Sequence, residues 1–252
     1  MFAGDGTSTL YGGTGNNTMY GGAGLDTFFA GSGNDTVYGG TGTNLIHGGT
    51  GTSILYAGNG TSSLFGGAGH SIMYGGAGND TFYGGAGNAW MRGGTGTNTM
   101  YAETGNDTMY AGNGTSTLYG GTGNNTMYGE AGHATFYAGS GNDTIVAGIG
   151  DDLMIAGTGH TTFAWTADSV VNALGLDTIQ GFNGNDTIDL HAILAGRSYA
   201  AIDDVVHFTL QAGGEMMSVD LGLGQGFHNV ALLAGLQNTT ASDLLKSGQL
   251  SV

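Results

Sequence analysis

From Ala3 to Ala164 the chain divides into eighteen consecutive nonapeptides without an insertion. GGTGNNTMY from Gly12, AGSGNDTVY from Ala30 and GGAGNDTFY from Gly75 are representative. The pattern is [GA]-G-x-G-x-[D/N/S]-T-apolar-aromatic. A unit this short cannot bury an apolar face alone, so units must stack into a solenoid. The Gly-rich half makes a turn, because Gly reaches backbone angles that other residues adopt only at a cost. The last three residues make a short strand. The eighth residue is apolar in every unit, from Leu10, Met19, Phe28, Val37 and Ile46 through to Phe163. Strand side chains alternate between faces, so the eighth points inward and the seventh and ninth outward. Two units make one coil, with one strand in each of two facing sheets. The expectation is an all-β, right-handed parallel solenoid of about nine coils, roughly 43 Å long at ~4.8 Å per coil. One inward apolar residue in nine is a thin core, which leaves much of the stability to backbone ladders and stacked side chains.

A slower period overlies the first. AGDGTSTLY from Ala3, AGNGTSSLF from Ala57 and AGNGTSTLY from Ala111 recur every 54 residues. The array is a six-unit block present three times, over 3–56, 57–110 and 111–164. Such duplication lengthens a rod and builds no pocket.

Composition narrows the chemistry. The 252 residues include 55 Gly, no Pro and no Cys. Absent Cys excludes a disulfide scaffold and thiolate zinc. Absent Pro and the wrong Gly period exclude collagen. With 3 Lys+Arg against 19 Asp+Glu, the net charge is −16. The basic footprint that nucleic acid or anionic lipid requires is missing; an acidic surface suits cations. No apolar run approaches a membrane span, and residues 1–30 lack the pattern of a cleaved signal peptide. Export would therefore use a route that reads another part of the chain.

Catalytic constellations are missing from the sequence. There is no H-E-x-x-H, no G-x-S-x-G and no phosphate loop ending in Lys-[Ser/Thr]. The many G-x-G strings lack the following helix that phosphate binding needs. His70, His133 and His160 occupy the fifth position of turns in repeats 8, 15 and 18, so no two stack. Asp203 and Asp204 near His207 read as a surface turn, and Glu103 and Glu130 as solvent-facing replacements of a turn Gly. The reading is of a protein that is not an enzyme.

The unit resembles the G-G-x-G-x-D-x-apolar-x repeat of the RTX family, which forms a calcium-binding parallel β-roll. The resemblance implies Ca²⁺ between turns of repeats i and i+2, held by sixth-position Asp and backbone carbonyls, a hard-oxygen set that suits this ion. The matching positions here are Asp26, Asp35, Asp80, Asp107, Asp143 and Asp152, with Asp151 adding charge at the last. The other twelve sixth positions hold Asn, Ser, Ala or Thr. Asp26 faces Ser8 and Asn44, Asp80 faces Ser62 and Asn98, and Asp107 faces Ala89 and Asn125. No two Asp fall in repeats i and i+2 of the array. This predicts few or weak Ca²⁺ sites, the Asp152 end being favoured. The competing expectation is that Asn, Ser and Thr bond neighbouring turns and replace the metal.

After Ala164 the period stops, and 165–252 holds only 11 of the Gly. LDTIQGFNGNDTIDL (176–190) resembles the segment that follows RTX repeats in proteins exported by type I secretion. The ending ASDLLKSGQLSV resembles the uncleaved signal of that pathway. VVHFTL (205–210) and MSVDLG (217–222) alternate as antiparallel strands do, and SDLLKSG (242–248) reads as a short helical turn. Solenoid ends expose unpaired backbone and need caps, so the expected division is a roll over 3–164 and a β-rich cap with the secretion signal over 165–252. Asp177, Asp186 and Asp189, with Asn183 and Asn185, are candidates for one Ca²⁺ site there, or else are solvated turn residues. At the other end the first repeat begins at Ala3 without a cap. Either that edge pairs with another molecule or the chain is a piece of a longer one, and the initial Met favours the first. No room is left for a separate catalytic domain.

Position nine is Tyr in eleven repeats: Tyr11, Tyr20, Tyr38, Tyr56, Tyr74, Tyr83, Tyr101, Tyr110, Tyr119, Tyr128 and Tyr137. Phe29 and Phe65 join the odd-repeat file, which His47 interrupts; Arg92 interrupts the even-repeat file. Position seven is Thr in twelve repeats. Each face should carry an aromatic file beside a hydroxyl file. Such files stabilise a sheet by roughly 0.2–1 kcal/mol per pair, and a long exposed aromatic strip also suits a partner. The leading expectation is a secreted structural protein of a Gram-negative bacterium, exported by type I secretion. It would self-assemble as a filament, surface layer or biofilm matrix component through its edges or Tyr/Thr faces. The alternative is a module or adhesin that binds Ca²⁺ and polysaccharide, with sugars stacked on the rings. An ice-binding face is a weaker idea, because the outward pairs read Thr-x-Tyr rather than Thr-x-Thr.

Overall fold

The eighth-position residues are buried in all eighteen repeats, and all but Leu10 have no exposed surface. The computed structural model describes residues 1–166, 175–222 and 226–252. Repeats two apart pair in parallel and in register: Thr99, Met100 and Tyr101 lie against Thr117, Leu118 and Tyr119. Odd repeats build one sheet and even repeats the other, so the eighth residues of both meet between the sheets. The result is the parallel β-solenoid of about nine turns that the period predicts.

The core is thicker than one residue in nine. Where a strand starts at the sixth position, alternation turns that residue inward together with the eighth and with the first of the next repeat. The sixth-position Asp, Asn and Ser from Asp26 onward are buried, as are the first-position Ala30, Ala57, Ala102, Ala111, Ala138 and Ala147. A file of buried polar groups therefore runs beside the apolar one in each sheet. The turns stack as tightly as the strands. A Cβ on Gly51 would overlap the Gly33 carbonyl oxygen of the coil before, so at this position Gly is required by close approach.

The sheets do not stop at Ala164. The strand Asp177–Gln180 pairs with Leu153–Ile155, and Thr187–Asp189 pairs with His160–Trp165. They form a further coil, offset 25 residues from the previous one, as Asp152 to Asp177 shows. The hairpin Val206–Gln211 with Gly214–Asp220 follows, antiparallel, and Phe227–Ala234 joins it to the edge strand Asp177–Gln180. Leu250–Ser251 pairs with Thr187–Asp189 and closes the edge of the second sheet. The helix Ala241–Ser247 starts at Thr240, whose side chain accepts from the Asp243 N–H, and ends at Gly248 in a left-handed conformation. These elements cover the backbone edges that a solenoid end would otherwise present. No helix among the described residues is long and apolar enough to cross a membrane.

Candidate metal centres

The buried sixth positions are linked from coil to coil. The backbone N–H at one sixth position donates to the side-chain oxygen of the next: Asn17 to Asp35 at 2.7 Å, Ser62 to Asp80 at 2.8 Å, Asp80 to Asn98 at 3.0 Å and Asn125 to Asp143 at 2.9 Å. Each such bond uses one oxygen of the receiving side chain.

What the second atom does depends on residue type. Ser53, Ser71 and Ser116 donate their hydroxyls to the carbonyls of Gly48, Gly66 and Ala111. Asn125 donates its amide to the Gly120 carbonyl at 2.8 Å, and Asn44 and Asn98 donate to the Gly42 and Gly96 carbonyls. The space beside this side chain is thus lined by carbonyl oxygens and filled by a donor. A carboxylate in the same place has no proton to give. Asp35 Oδ2, Asp80 Oδ2, Asp107 Oδ2 and Asp26 Oδ1 are buried without a hydrogen-bond partner. Beside Asp80 the space is tight: a Cβ added to Gly75 would touch both Asp80 Oδ2 and the Gly93 carbonyl oxygen. An acceptor among acceptors calls for a cation or a proton.

The electrostatics agree. Burial pushes Asp80 up to about 7, against the opposing Ser62 N–H. Burial likewise raises Asp107 and Asp143 to about 6. Asp152 and Asp186 are also raised, burial again being the largest cause. Desolvation disfavours the charged carboxylate, and a bound cation reverses that preference.

The family model for the RTX calcium-binding nonapeptide repeat matches residues 2–37, 38–72, 56–91, 84–118, 92–127, 110–133, 128–163 and 174–192. The chain belongs to this family. No curated protein matches it. Ca²⁺ is the ion the RTX repeats imply, and the unpartnered carboxylate oxygens among carbonyls fit it. A divalent cation there would supply the positive charge that Asn and Ser supply as N–H and O–H donors.

The other candidate ligands separate. Asp177 lies on the first sheet beside Asp152, whereas Asp186 lies on the second, where it accepts from the Thr161 N–H at 2.9 Å and from Asn183. Asp189 bonds His191 at 2.8 Å. Asp177, Asp186 and Asp189 therefore do not converge on one site. Among the described residues no group of three or more His, Cys, Asp or Glu side chains is placed to hold a metal. Among the described residues, an RTX site would draw on one or two carboxylates completed by carbonyl and amide oxygens. At the fifth position, His133 Nδ1 accepts the Asp151 N–H at 3.2 Å, as Asn106 Oδ1 accepts that of Asn124 at 2.8 Å.

Two aromatic files run along the RTX roll. From Tyr11 through Phe29, His47, Phe65, Tyr83, Tyr101 and Tyr119 to Tyr137, neighbouring rings lie 4.6–5.2 Å apart within 17° of parallel. In the other file, Tyr20, Tyr38, Tyr56 and Tyr74 stack the same way, as do Tyr110 and Tyr128. Arg92 does not leave a gap. Trp90, from position seven, leans in at 5.2 Å from both Tyr74 and Tyr110, and Arg92 pairs with Glu130 at 2.8 Å. Ring faces are covered by ring faces, so the files present edges and hydroxyls to solvent.

Proposed function

We propose that this RTX protein is a secreted, calcium-dependent structural protein without catalytic activity that assembles with copies of itself through its ladder faces. Supporting the calcium part are the buried carboxylate oxygens that lack a donor at Asp26, Asp35, Asp80 and Asp107. Asp143, Asp152 and Asp186 add negative charge to the same files, and the exposed Asp151 adds more beside Asp152. Folding of the roll is thereby linked to the ion, because an ion that binds only the folded chain stabilises it by mass action.

Carrying the assembly part is one observation: one face bears a file of stacked ring edges from Tyr11 to Tyr137, and the other a file that a tilted Trp90 bridges. A strip of this kind is complementary to another copy, since ridges at an identical period interdigitate. It suits a sugar chain less well, because a pyranose stacks on a ring face and these faces are occupied by neighbouring rings. The C-terminal residues 241–252 fit a type I secretion signal, and RTX proteins are typically secreted by Gram-negative bacteria, which suggests an extracellular location.

The test is sedimentation and light scattering of the purified protein across concentration, with Ca²⁺ and with chelator. Growth of species in Ca²⁺, reduced when Tyr83 and Tyr101 are replaced by Ser, is the expected result. A strictly monomeric protein at high concentration in Ca²⁺ overturns the assembly. Retention on an alginate or cellulose column, lost in the same variant, would favour the polysaccharide reading instead.

A further inference from the structure

Among the described residues of the two polar files, one carboxylate stacks directly on another only at the last coil, where Asp152 and Asp177 meet. The Asp152 N–H donates to Asp177 Oδ1 at 2.9 Å, the same coil-to-coil bond seen elsewhere. By the pattern of Asp80, the second oxygen of Asp177 should then be free. It is not. Trp165 Nε1–H donates to Asp177 Oδ2 at 2.7 Å, with both side chains buried. Asp152 is closed as well: Oδ1 accepts the Ala134 N–H at 2.7 Å and Oδ2 the Gly148 N–H at 3.2 Å.

We propose that Trp165 stands in for a metal ion at the junction of roll and cap, keeping the stacked carboxylate pair Asp152 and Asp177 as a latent calcium site. The inference rests on the reading that sixth-position carboxylates hold Ca²⁺ through the oxygen left free by the backbone bond. Four Asp leave such an oxygen unpartnered; at Asp177 an indole N–H occupies it. An N–H···carboxylate bond is charge-assisted and stronger than a neutral one. It also fixes the end of the strand His160–Trp165 to the strand Asp177–Gln180, across the two sheets. The last coil is thereby held without an ion, whereas Asp26, Asp35, Asp80 and Asp107 each leave an oxygen for one. Once the 25-residue offset places Asp177 against Asp152, this pair has two carboxylates where the other stacked positions have one.

Replacing the indole by a ring without an N–H should open the site. The experiment counts Ca²⁺ bound per chain, by equilibrium dialysis, for the wild type, Trp165→Phe and Trp165→Phe with Asp177→Asn. Folding is checked by circular dichroism. The expected result is one more ion per chain in Trp165→Phe than in wild type, lost again in the double variant. An unchanged count in a folded Trp165→Phe overturns the proposal. A wild type that binds no Ca²⁺ while Trp165→Phe binds one would sink the interior sites and leave the latch standing. Should Trp165→Phe fail to fold, Trp90→Phe leaves Trp165 as the sole Trp. Its emission should then stay constant over the part of a Ca²⁺ titration in which circular dichroism is constant. A shift there would mean that the ion reaches Asp177, and the proposal falls.

Discussion

Ser62 and Asp80 sit at the same position of successive coils, and the Ser62 N–H donates to Asp80 Oδ1 at 2.8 Å while Asp80 Oδ2 has no partner. One oxygen belongs to the sheet and the other is the one we propose for a cation. Without Ca²⁺ the cheapest partner is a proton, and burial pushes Asp80 up to about 7. The folded chain then holds that proton more tightly than the unfolded chain, whose Asp titrates near about 4. Stability in chelator is therefore greatest at and below about pH 4 for this term, and falls as pH rises through about 7. Asp107 and Asp143, raised to about 6, act with the same sign. Thermal unfolding in chelator should show a lower midpoint at pH 8 than at pH 5, and added Ca²⁺ should restore most of the loss at pH 8. Equal midpoints at both pH values would mean that these carboxylates are solvated.

Asp80→Asn tests the exchange of ion for donor. Asn98, one coil along, shows what an amide does in this place: it accepts the Asp80 N–H and donates to the Gly96 carbonyl. The variant should be more stable than wild type in chelator, by about 1 kcal/mol for a hydrogen bond gained where an acceptor was unpartnered. It should also gain less from Ca²⁺. Urea denaturation with and without the ion measures both. A variant less stable than wild type in chelator would refute the donor argument.

Gly51→Ala tests the turn stacking. The added methyl would overlap the Gly33 carbonyl oxygen, which is backbone and cannot swing aside. The coils must separate locally, and the cost should reach ~2–4 kcal/mol, the range of overpacked or strained sites. Gly13→Ala is the control for φ alone: Gly13 has a positive φ of 79°, which Gly51 does not, but open space where the methyl would stand. Its cost should stay near ~1 kcal/mol. A loss at Gly51 no larger than that at Gly13 would mean that the coils part easily and that contact does not require Gly here.

The roll was legible because its period leaves one solution: an apolar eighth residue at every step can only face a shared interior. The inward turn of the sixth position follows from the same alternation, yet the Asp and Ser found there look like turn residues, so the thickness of the core was underestimated. The coil formed by Asp177–Gln180 and Thr187–Asp189 was hidden by the longer offset, although DTI recurs in both strands as in Asp143–Ile145. Trp165 carried no signal at all, because its partner Asp177 lies across that offset. Trp90 gave a weak one: an aromatic at seven and Arg at nine reverse the usual order within one repeat.

His47 supplies a pH effect of opposite sign. It stacks between Phe29 at 4.8 Å and Phe65 at 4.7 Å, and burial lowers its pKa from the usual value. The folded chain therefore binds that proton less readily than the unfolded one. Its contribution to stability is present above about pH 6.5 and is lost as pH falls, because the unfolded chain protonates first. His47→Phe completes the file with a ring that never charges. In saturating Ca²⁺, where the carboxylate effect is suppressed, wild type should lose stability between pH 7 and pH 5, and His47→Phe should lose less. A titration of the His47 ring followed by NMR should give a midpoint below that of a free imidazole. A midpoint at or above the free value, or identical pH slopes for the two proteins, would show that the stacked imidazole is as easily charged as one in water.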